Sequence, residues 1–381
     1  MNKIAVIGKG TAGSLAYNHF GYYTDYEIDV YFDSSKKEQS VGEGTTIAVP
    51  RTLHYTTGFE FHNLDLIDGN YKNAIKYINW VEDDFYHTFE APAMSMHFNA
   101  VKLQEYIESK NLDRVNFIDT NISNLKDVDA DFVIDCSGTP QNFDEYEYAE
   151  YIPVNAALVK QCYWEHPKFD TTHCIASEWG WIFVIPLKNR VSFGYLYNDK
   201  ITDVKIIREQ LNEVIDNYKY TPKDKELTLN FNNYYRKNNF YKNKAYNGNA
   251  SFFLEPMEAT SLTTVDNINR KIYDLIKQPE SVYDANNWYS RSFKELQDII
   301  VMHYLGATKY DNEFWTHAKQ LAEECLSDTS KTSRVYKEVL RNINNKKFDL
   351  NIDYGVWRMH SFNQNINNMK LLNKLRKLAD V

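Results

Sequence analysis

Three glycines near the start of the chain have the spacing of a phosphate-binding turn. Gly8, Gly10 and Gly13 form the pattern G-x-G-x-x-G between a β-branched run at 3–7 and a helical pattern at 14–20. In that setting the first glycine allows a tight turn, the second lets the backbone approach a pyrophosphate, and the third lets the helix pack on the strand. The N–H groups and the dipole of the helix N-terminus also attract phosphates.

An acidic residue follows at the distance that a dinucleotide site requires. Asp33 ends a predicted strand at 27–32 and stands 20 residues after Gly13. A carboxylate at this point accepts the ribose hydroxyls of the adenosine half. We therefore predict a dinucleotide site, with Thr11 and Ala12 among its cofactor-binding residues, rather than a glycine turn of purely structural use. The pattern is compatible with FAD and with NAD.

Charged side chains stand in three further segments. Lys72 belongs to a predicted strand at 71–80, where spacing alone favours a solvated lysine at a sheet edge. Glu43 lies between two glycines, either in an ordinary turn or in a second loop over the cofactor. The compact loop at 252–261 carries two carboxylates, those of Glu255 and Glu258.

Strand and helix patterns alternate around these residues. Predicted helices at 49–57 and 100–110 are followed by predicted strands at 115–118 and 131–134, and the last runs into small residues typical of the carboxyl edge of a parallel sheet. From about 154 to 244 the pattern changes to an antiparallel sheet, with one helix at 203–218. The predicted strands of this sheet are 157–164, 174–185, 190–197 and 226–235. The chain from 263 onward is predicted to be mainly helical.

Composition excludes several classes of protein. A chain of 381 residues with a net charge of −9 is large enough for a substantial core and is too acidic for a nucleic-acid binder. It has no apolar run of the ~18 residues that a membrane span needs, and no signal-peptide pattern. The four cysteines lack C-x-x-C spacing, which argues against a zinc site or a disulfide framework. We expect a soluble, cytoplasmic protein with no bound metal.

Several motifs occur in a fixed order over roughly residues 3–315. They are the glycine fingerprint, Val41-Gly42-Glu43, the segment 71–80, Trp181-Ile182-Phe183-Val184-Ile185-Pro186, Phe253-Leu254-Glu255-Pro256-Met257-Glu258-Ala259-Thr260, His303-Tyr304 and Phe314-Trp315. Together they resemble the flavin-dependent halogenases, two-component enzymes typified by the tryptophan halogenases. The resemblance implies that the dinucleotide is FAD.

The resemblance also implies a fold and a division of the chain. The expected fold is α/β, in part α+β: a Rossmann-type sheet of the FAD-monooxygenase kind, an antiparallel sheet and a reduced helical C-terminal region. We predict an FAD-binding module at 1–265, including the inserted sheet at about 154–244, and a mainly helical region at 266–381.

The chemistry implied by the resemblance depends on Lys72 and Glu258. Reduced FAD from a separate flavin reductase, O₂ and a halide (chloride, bromide or iodide) give hypohalous acid, which is relayed to Lys72 and halogenates an electron-rich ring. Glu258 would orient the electrophile and accept the ring proton, and the backbone N–H groups of Thr260 and Ser261 would hold the halide. The remaining cofactor positions of the family fall on Gly42, Glu43, Ile122, Asn249 and Leu262.

Two residues depart from the family pattern. Trp181 and Pro186 keep the barrier that is thought to separate substrate from flavin, but Phe183 replaces the second tryptophan of the signature. It retains bulk and loses an indole N–H, so we expect the barrier to survive. Ser261 stands where the family usually has glycine, and it would be strained if the backbone there had a positive φ.

A missing segment bears on the substrate. Family members that act on free tryptophan carry a long insertion where this chain has only residues 88–96 between His87 and His97. We therefore expect an open substrate side that accepts assorted phenols and indoles, or a carrier-bound substrate, and no dedicated pocket for free tryptophan. We also expect a homo-oligomer. The composition, rich in Asn, Lys and Tyr, fits a viral or other AT-rich source.

Other functions remain to be weighed. Gly248-Asn249-Ala250 stands where aromatic hydroxylases that use NAD(P)H have Gly-Asp-Ala, although Asn249 replaces the acid and a hydroxylase has no evident use for Lys72 with Glu258. A hydroxylase would add oxygen to its product rather than a halogen. In a non-catalytic flavoprotein, replacement of Lys72 by alanine would change neither turnover nor product. An NAD-dependent dehydrogenase would need a second nucleotide fingerprint or a catalytic His/Tyr set, which the sequence lacks.

Overall fold

The computed structural model describes residues 2–36, 43–89, 94–110, 112–164, 167–277, 281–328, 330–345 and 359–378. Among these residues the strands are β1 Lys3–Ile7, β2 Glu27–Phe32, β3 Glu43–Gly44, β4 Asn70–Lys72, β5 Ala74–Ile78, β6 Phe85–Thr88, β7 Ser95–Phe98, β8 Val115–Asp119, β9 Phe132–Asp135, β10 Tyr146–Tyr148, β11 Ala156–Tyr163, β12 Thr171–Ser177, β13 Gly180–Pro186, β14 Arg190–Tyr197, β15 Thr221–Asn230, β16 Tyr234–Arg236, β17 Lys244–Tyr246 and β18 Phe252–Phe253. The α-helices are α1 Thr11–Tyr23, α2 Ala48–Thr57, α3 Ala100–Glu108, α4 Val204–Asn217, α5 Ser261–Lys277, α6 Val282–Gly306, α7 Glu313–Ser327, α8 Arg334–Asn345, α9 Met359–Asn368 and α10 Leu372–Leu378. No helix in this part of the chain is long and apolar enough to span a membrane.

The chain divides into two compact units that alternate along the sequence. The first unit comprises Met1–Tyr71, Ser95–Tyr148 and Tyr234–Ser290. The second unit comprises Lys72–Met94, Ala149–Asn233 and Arg291–Val381. The predicted modules 1–265 and 266–381 follow sequence order, whereas each unit is assembled from three segments; that division stays a prediction.

The first unit is built on a parallel sheet of order β17-β9-β1-β2-β8. Its central strand β1 is fully buried at Ile4 and Val6, as expected for a strand covered on both faces. Helix α1 packs against α3 and α5 in the same unit. The carboxyl ends of β1, β2 and β9 meet at one edge of the sheet, so the loops that follow these three strands share that edge.

The second unit is built on a sheet of order β15-β11-β14-β13-β12-β5-β6. Neighbouring strands run antiparallel except for β12 and β5, which run parallel. Alternate residues of β13, Ile182 and Val184, face a core that helix α4 closes with Ile207, Leu211 and Ile215. The other set of β13 residues, which includes Trp181 and Phe183, therefore lies on the opposite face of the sheet. The mixed α/β class predicted from the sequence is confirmed.

Two predicted strands were wrong in extent. The run 174–185 is a hairpin, because β12 ends at Ser177 and β13 starts at Gly180, its direct partner. The connection is Glu178-Trp179, which lacks the usual glycine or asparagine of tight hairpins and so resembles continuous strand. The run 226–235 is also divided, since β15 ends at Asn230 and β16 joins a separate sheet with β10 and β18.

Candidate functional site

The glycine turn of the first unit leaves no room for side chains. Gly8 has φ +103°, and a β-carbon there would lie 2.4 Å from the carbonyl oxygen of Cys136. A β-carbon on Gly13 would lie 1.9 Å from the carbonyl oxygen of Gly8. Gly10 is the N-cap of α1. Both obstructing atoms belong to the backbone, so the turn and the helix start depend on glycine at these positions.

A cleft of about 1060 Å³ opens at this turn. Its volume lies at the upper end of ligand sites, which reach ~1,000 Å³. Among the predicted cofactor residues, Gly8, Gly10, Asp33 and Ile122 line it. Because glycine turn, helix N-terminus and acid surround one large cleft, the residues of the first unit fit a dinucleotide such as FAD.

The Asp33 carboxylate accepts hydrogen bonds within its own turn. Its Oδ1 accepts hydrogen bonds from the Ser35 hydroxyl at 2.5 Å and from the Ser35 N–H at 3.0 Å. These two bonds lower the pKa of the Asp33 carboxyl. The Lys36 ammonium is 3.8 Å from Oδ2. Asp33 is therefore ionised and held in place at the cleft wall, as a ribose acceptor needs to be.

Thr11, Ala12 and Asn249, which are also predicted cofactor residues, are not among the residues that line the cleft. Thr11 accepts a hydrogen bond from Gln104, a cleft residue, at 3.2 Å. A β-carbon on Gly248 would be 2.5 Å from the β-carbon of Ala12, so the turn before Asn249 packs closely on α1. Asn249 is exposed, and its carbonyl accepts a hydrogen bond from Tyr234 at 2.7 Å.

Sequence reasoning missed several residues that line the cleft, among them Lys9, Glu108 and Cys136. Lys9 lies between two of the fingerprint glycines, 2.8 Å from the Glu108 carboxylate and about 5 Å from the ring centres of Phe32 and Phe117. The position of Lys9 inside the fingerprint was a signal that could have been used, whereas nothing near Glu108 in sequence points to the cofactor.

The second loop is only partly described. Gly42 lies outside the described residues, and Glu43 begins β3, which pairs with β7. Shortly after β3, the buried Thr46 hydroxyl makes a short hydrogen bond with that of Thr263 in the first turn of α5. Leu262, the predicted cofactor residue beside it, is buried. The second loop is thus tied to the start of α5 within the first unit.

Glu258 lies in a strained turn directly before α5. It is 1% exposed, and it has φ +65°, while Ala259 has φ +51°. Two consecutive non-glycine residues in the left-handed region are uncommon and cost of order 1–3 kcal/mol each. Thr260 is buried, and Ser261 starts the helix. The condition for strain at Ser261 is not met, because the positive φ values fall on Glu258 and Ala259 instead.

The N–H groups of Thr260 and Ser261 stand at the start of α5. Amides in the first turn of a helix have no acceptor within the helix, and the helix dipole favours an anion there. The carbonyl oxygen of Thr260 accepts hydrogen bonds from the Thr264 N–H at 3.0 Å and from its hydroxyl at 2.9 Å, which fix the turn. The predicted halide residues therefore have local geometry suited to a small anion.

Lys72 differs sharply from its neighbour Lys76. Lys72 is fully buried, and its Nζ lies 5.8 Å from the ring centre of Phe89. Lys76 is partly exposed, with Nζ 3.3 Å from Asp84. The strand breaks between them, because Asn73 separates β4 from β5 and donates its N–H to Asp170. The solvated position favoured by spacing is wrong for Lys72, and Lys76, although partly exposed, lies on β5 between β12 and β6 and not at a sheet edge.

The signature residues of β13 are held by side-chain packing. The Trp181 indole N–H donates to the Tyr304 hydroxyl at 3.1 Å, and the Phe183 ring meets the Trp181 ring at 6.5 Å and 65°. Trp181 and Phe183 are buried, and Pro186 ends the strand opposite Val191. Sequence reasoning singled out Tyr304 only as a family position and did not reveal this contact.

The candidate residues thus form groups in two units. Most of the cofactor residues surround the cleft and α1 in the first unit, which also contains Glu258, Thr260 and Ser261. Lys72 and the β13 signature residues belong to the second unit.

The family model and two of the curated relatives that match this chain are tryptophan halogenases. A model of the tryptophan halogenase family matches residues 3–124 and 99–374. Tryptophan 6-halogenase SttH of Streptomyces toxytricini is 23% identical over 263 residues, which cover 59% of this chain and 49% of that protein. Tryptophan 7-halogenase RebH of Lentzea aerocolonigenes is 21% identical over 433 residues, covering 84% and 79%. The chain thus spans about half the length of SttH.

Solved structures share the fold. A tryptophan halogenase from Shewanella frigidimarina superposes with a TM-score of 0.80 at 17% identity, covering 99% of this chain and 93% of the other.

Proposed function

The chain belongs to the tryptophan halogenase family, and on that premise we propose that it is a two-component flavin-dependent halogenase. The reaction would use FADH₂, O₂ and a halide to halogenate electron-rich aromatic rings, with hypohalous acid relayed to Lys72. The FADH₂ would come from a separate flavin reductase. Bound at the glycine turn, the flavin would supply the oxidising chemistry that converts halide to hypohalous acid.

The observation that carries this proposal is the burial of Lys72. An ammonium group loses its hydration when buried, so a fully buried lysine is uncommon without a specific use. Lys72 would hydrogen-bond hypohalous acid or react with it, forming an N–halogen bond and releasing water. In either form it would deliver an electrophilic halogen to the ring. The Phe89 ring, 5.8 Å from Nζ, would limit the directions in which the amine can point.

Glu258 would complete the substitution. When halogen adds to an aromatic ring, the carbon that it attacks must lose a proton, and a buried carboxylate is a suitable acceptor. The strained backbone at Glu258 supports a functional role, since strain of this kind is concentrated at active sites. The N–H groups of Thr260 and Ser261 would bind the halide before it reacts.

The β13 residues would act by exclusion. Trp181, Phe183 and Pro186 would keep the aromatic substrate from the flavin, so that halogenation replaces direct oxygenation. Their burial and the Trp181–Tyr304 hydrogen bond support a rigid barrier.

We propose phenols and indoles, free or carrier-bound, as substrates. The short connection at 88–96 supports an open substrate side. SttH and RebH are named for tryptophan. Chloride, bromide and iodide are all candidates for the halide.

The test is an assay of the purified chain with a flavin reductase, NADH, FAD, each halide in turn and a panel of phenols and indoles. Product mass should rise by a halogen. Lys72→Ala should abolish product, and Glu258→Gln should lower turnover on the order of 100-fold, the usual contribution of a positioned general base. Lys76→Ala is the matched control, because it removes a partly exposed lysine four residues away and should leave turnover unchanged.

Three results would contradict the proposal. Equal product from Lys72→Ala and wild type would show that the lysine has no part in the reaction. A product heavier by one oxygen would favour the aromatic hydroxylase. Equal halogenation without the protein would assign the product to free hypohalous acid.

A further inference from the structure

The Phe183 ring occupies the space above a glycine on the neighbouring strand. Phe183 of β13 and Gly194 of β14 are direct partners in the sheet. A β-carbon on Gly194 would lie 2.1 Å from Cζ, 2.3 Å from Cε1 and 2.8 Å from Cε2 of the Phe183 ring. Distances this short exclude any side chain at 194 while the ring stays where it is.

Backbone conformation does not explain this glycine. The φ angle of Gly194 lies outside the left-handed region, where glycine would be favoured. Glycine in a strand interior weakens the strand and commonly marks a close approach by another group. The close approach here is the Phe183 ring, which makes the ring the structural reason for Gly194.

The ring is confined on its other sides as well. Cys174 of β12 is the partner of Phe183 across the opposite edge of β13, and it carries a side chain that Gly194 lacks. Trp181 lies on the same face of β13, two residues earlier, with its ring 6.5 Å away. Of the two partners of Phe183 in the sheet, Gly194 is the one that leaves space for the ring.

We infer that Gly194 is a positioning residue, which seats the Phe183 ring and thereby sets how completely β13 blocks the substrate. This inference rests on the barrier role in the proposed function. In that role the position of the ring matters as much as its presence, because a displaced ring leaves a gap beside Trp181. Gly194 would thus control the fraction of turnovers that end in halogenation.

A substitution at Gly194 should move the ring without unfolding the protein. The three obstructing atoms are the far end of a flexible side chain, so rotation of Phe183 can relieve the clash. Leucine at 183 supplies the matched background. It keeps carbons out to the δ position and lacks Cε1, Cε2 and Cζ, the three atoms that meet the new β-carbon.

The first measurement is thermal unfolding of wild type, Gly194→Ala, Phe183→Leu and the double variant. Gly194→Ala should lower Tm by about 2–6 °C in the wild-type background, where the ring must move. In the Phe183→Leu background it should lower Tm by less than about 1 °C, because nothing remains to displace. An equal loss of Tm in both backgrounds would show that Gly194 stabilises the strand independently of Phe183, and it would overturn the inference. This cycle needs no catalytic activity.

The second measurement is the ratio of oxygenated to halogenated product, since a gap in the barrier would let the substrate reach the flavin and be oxygenated directly. Displacement of a positioned group by ~1 Å can cost on the order of 100-fold, and we expect Gly194→Ala to raise the ratio about tenfold. In the Phe183→Leu background the same substitution should leave the ratio unchanged. Coupling in Tm without any change in the ratio would overturn the positioning role. Absence of halogenated product from wild type would contradict the proposed function, whereas the Tm cycle would still decide whether Gly194 seats the ring.

Discussion

In the first unit the candidate nucleotide turn is held by close backbone contacts, whereas in the second unit the candidate barrier is held by side chains. A β-carbon at Gly8 or Gly13 would strike a carbonyl oxygen. On β13, in contrast, Trp181 is held by the Tyr304 hydroxyl and Phe183 lies over Gly194. A backbone obstruction cannot move without refolding the turn, but a side-chain obstruction can rotate. The fingerprint glycines Gly8 and Gly13 should therefore tolerate substitution much less than Gly194.

The largest expected effect is that of Gly13→Ala. The new β-carbon would lie 1.9 Å from the Gly8 carbonyl oxygen, so the fingerprint turn must deform. We expect a loss of about 3 kcal/mol in unfolding free energy and a fall of more than about tenfold in FAD affinity. Denaturant unfolding and flavin fluorescence titration measure the two effects.

Gly21→Ala on the same helix is the matched control. Its β-carbon would meet the Leu112 Cδ1 at 2.7 Å, at the end of a flexible side chain, and alanine favours helix over glycine by ~1 kcal/mol. Its unfolding free energy should change by less than about 1 kcal/mol. If Gly13→Ala and Gly21→Ala behaved alike, backbone obstruction would not distinguish the two positions.

The same difference explains what the sequence could predict. Gly8, Gly10, Gly13 and Asp33 were found because a short, local pattern encodes the turn, and the pattern admits few other residues. The Trp181–Tyr304 hydrogen bond joins residues 123 apart, and the Phe183–Gly194 contact depends on the register of two strands. Register and helix docking are decided by the whole core, so spacing along the chain does not reveal them.

Burial and strain were also hidden in the sequence. Strand alternation could not separate Lys72 from Lys76, because the break at Asn73 between β4 and β5 has no glycine or proline to mark it. Left-handed backbone at Glu258 and Ala259 was not predicted, since neither residue type favours it. Family resemblance pointed to Lys72 and Glu258, while their physical setting had to come from the structure.

The second expected effect is the pH dependence caused by Asp298, a buried acid of the second unit. Asp298 in α6 is fully buried, and burial raises its pKa to about 7, against the opposing effects of hydrogen bonds from Ser333 and of Lys337 and Lys294. Because its pKa is higher in the folded than in the unfolded chain, its stabilisation is complete below about pH 4 and is lost as the pH rises through about 7. Between about pH 4.5 and about pH 8 the change amounts to roughly 3 kcal/mol.

Asp298→Asn should remove this pH dependence, because an amide stays neutral. Urea unfolding of both proteins at about pH 4.5 and about pH 8, followed by circular dichroism, isolates the contribution of Asp298 from other titrations. Relative to wild type, the variant should gain stability between the lower and the higher pH. A constant difference between the two proteins would mean that Asp298 does not titrate in this range.

A smaller effect is expected from Tyr304→Phe. The substitution removes the hydroxyl that accepts the Trp181 indole N–H at 3.1 Å and should cost about 0.5–1.5 kcal/mol, the usual net contribution of one intramolecular hydrogen bond. Trp80 and Trp315 donate instead to the backbone carbonyls of Cys174 and Ser177, and no substitution of an acceptor side chain would affect them in this way.

The double variant Trp181→Phe with Tyr304→Phe sharpens this test. With both polar partners gone, no indole N–H remains to be satisfied. Tyr304→Phe should therefore cost less in the Trp181→Phe background than in wild type, as denaturant midpoints would show. Equal costs in the two backgrounds would mean that Tyr304 stabilises the unit by packing and not by holding Trp181.

The smallest expected effect concerns Asp33, a partly exposed acid of the first unit. Ser35→Ala removes the stronger of the two bonds that lower the pKa of Asp33, and the Ser35 N–H still donates. The pKa should rise toward its ordinary value and remain below it, which NMR titration of the labelled carboxyl would show. Ser34→Ala is the control, because Ser34 donates to Asp119 and should shift that pKa instead. Since the lowered pKa of Asp33 favours the folded chain above about pH 4 and this contribution is lost as the pH falls, Ser35→Ala should lower stability slightly at neutral pH, should have no such effect well below pH 4, and should leave FAD affinity unchanged. A large loss of FAD affinity would instead mean that the Ser35 hydroxyl aims Asp33 at the ribose, and that side chains position the nucleotide in the first unit too.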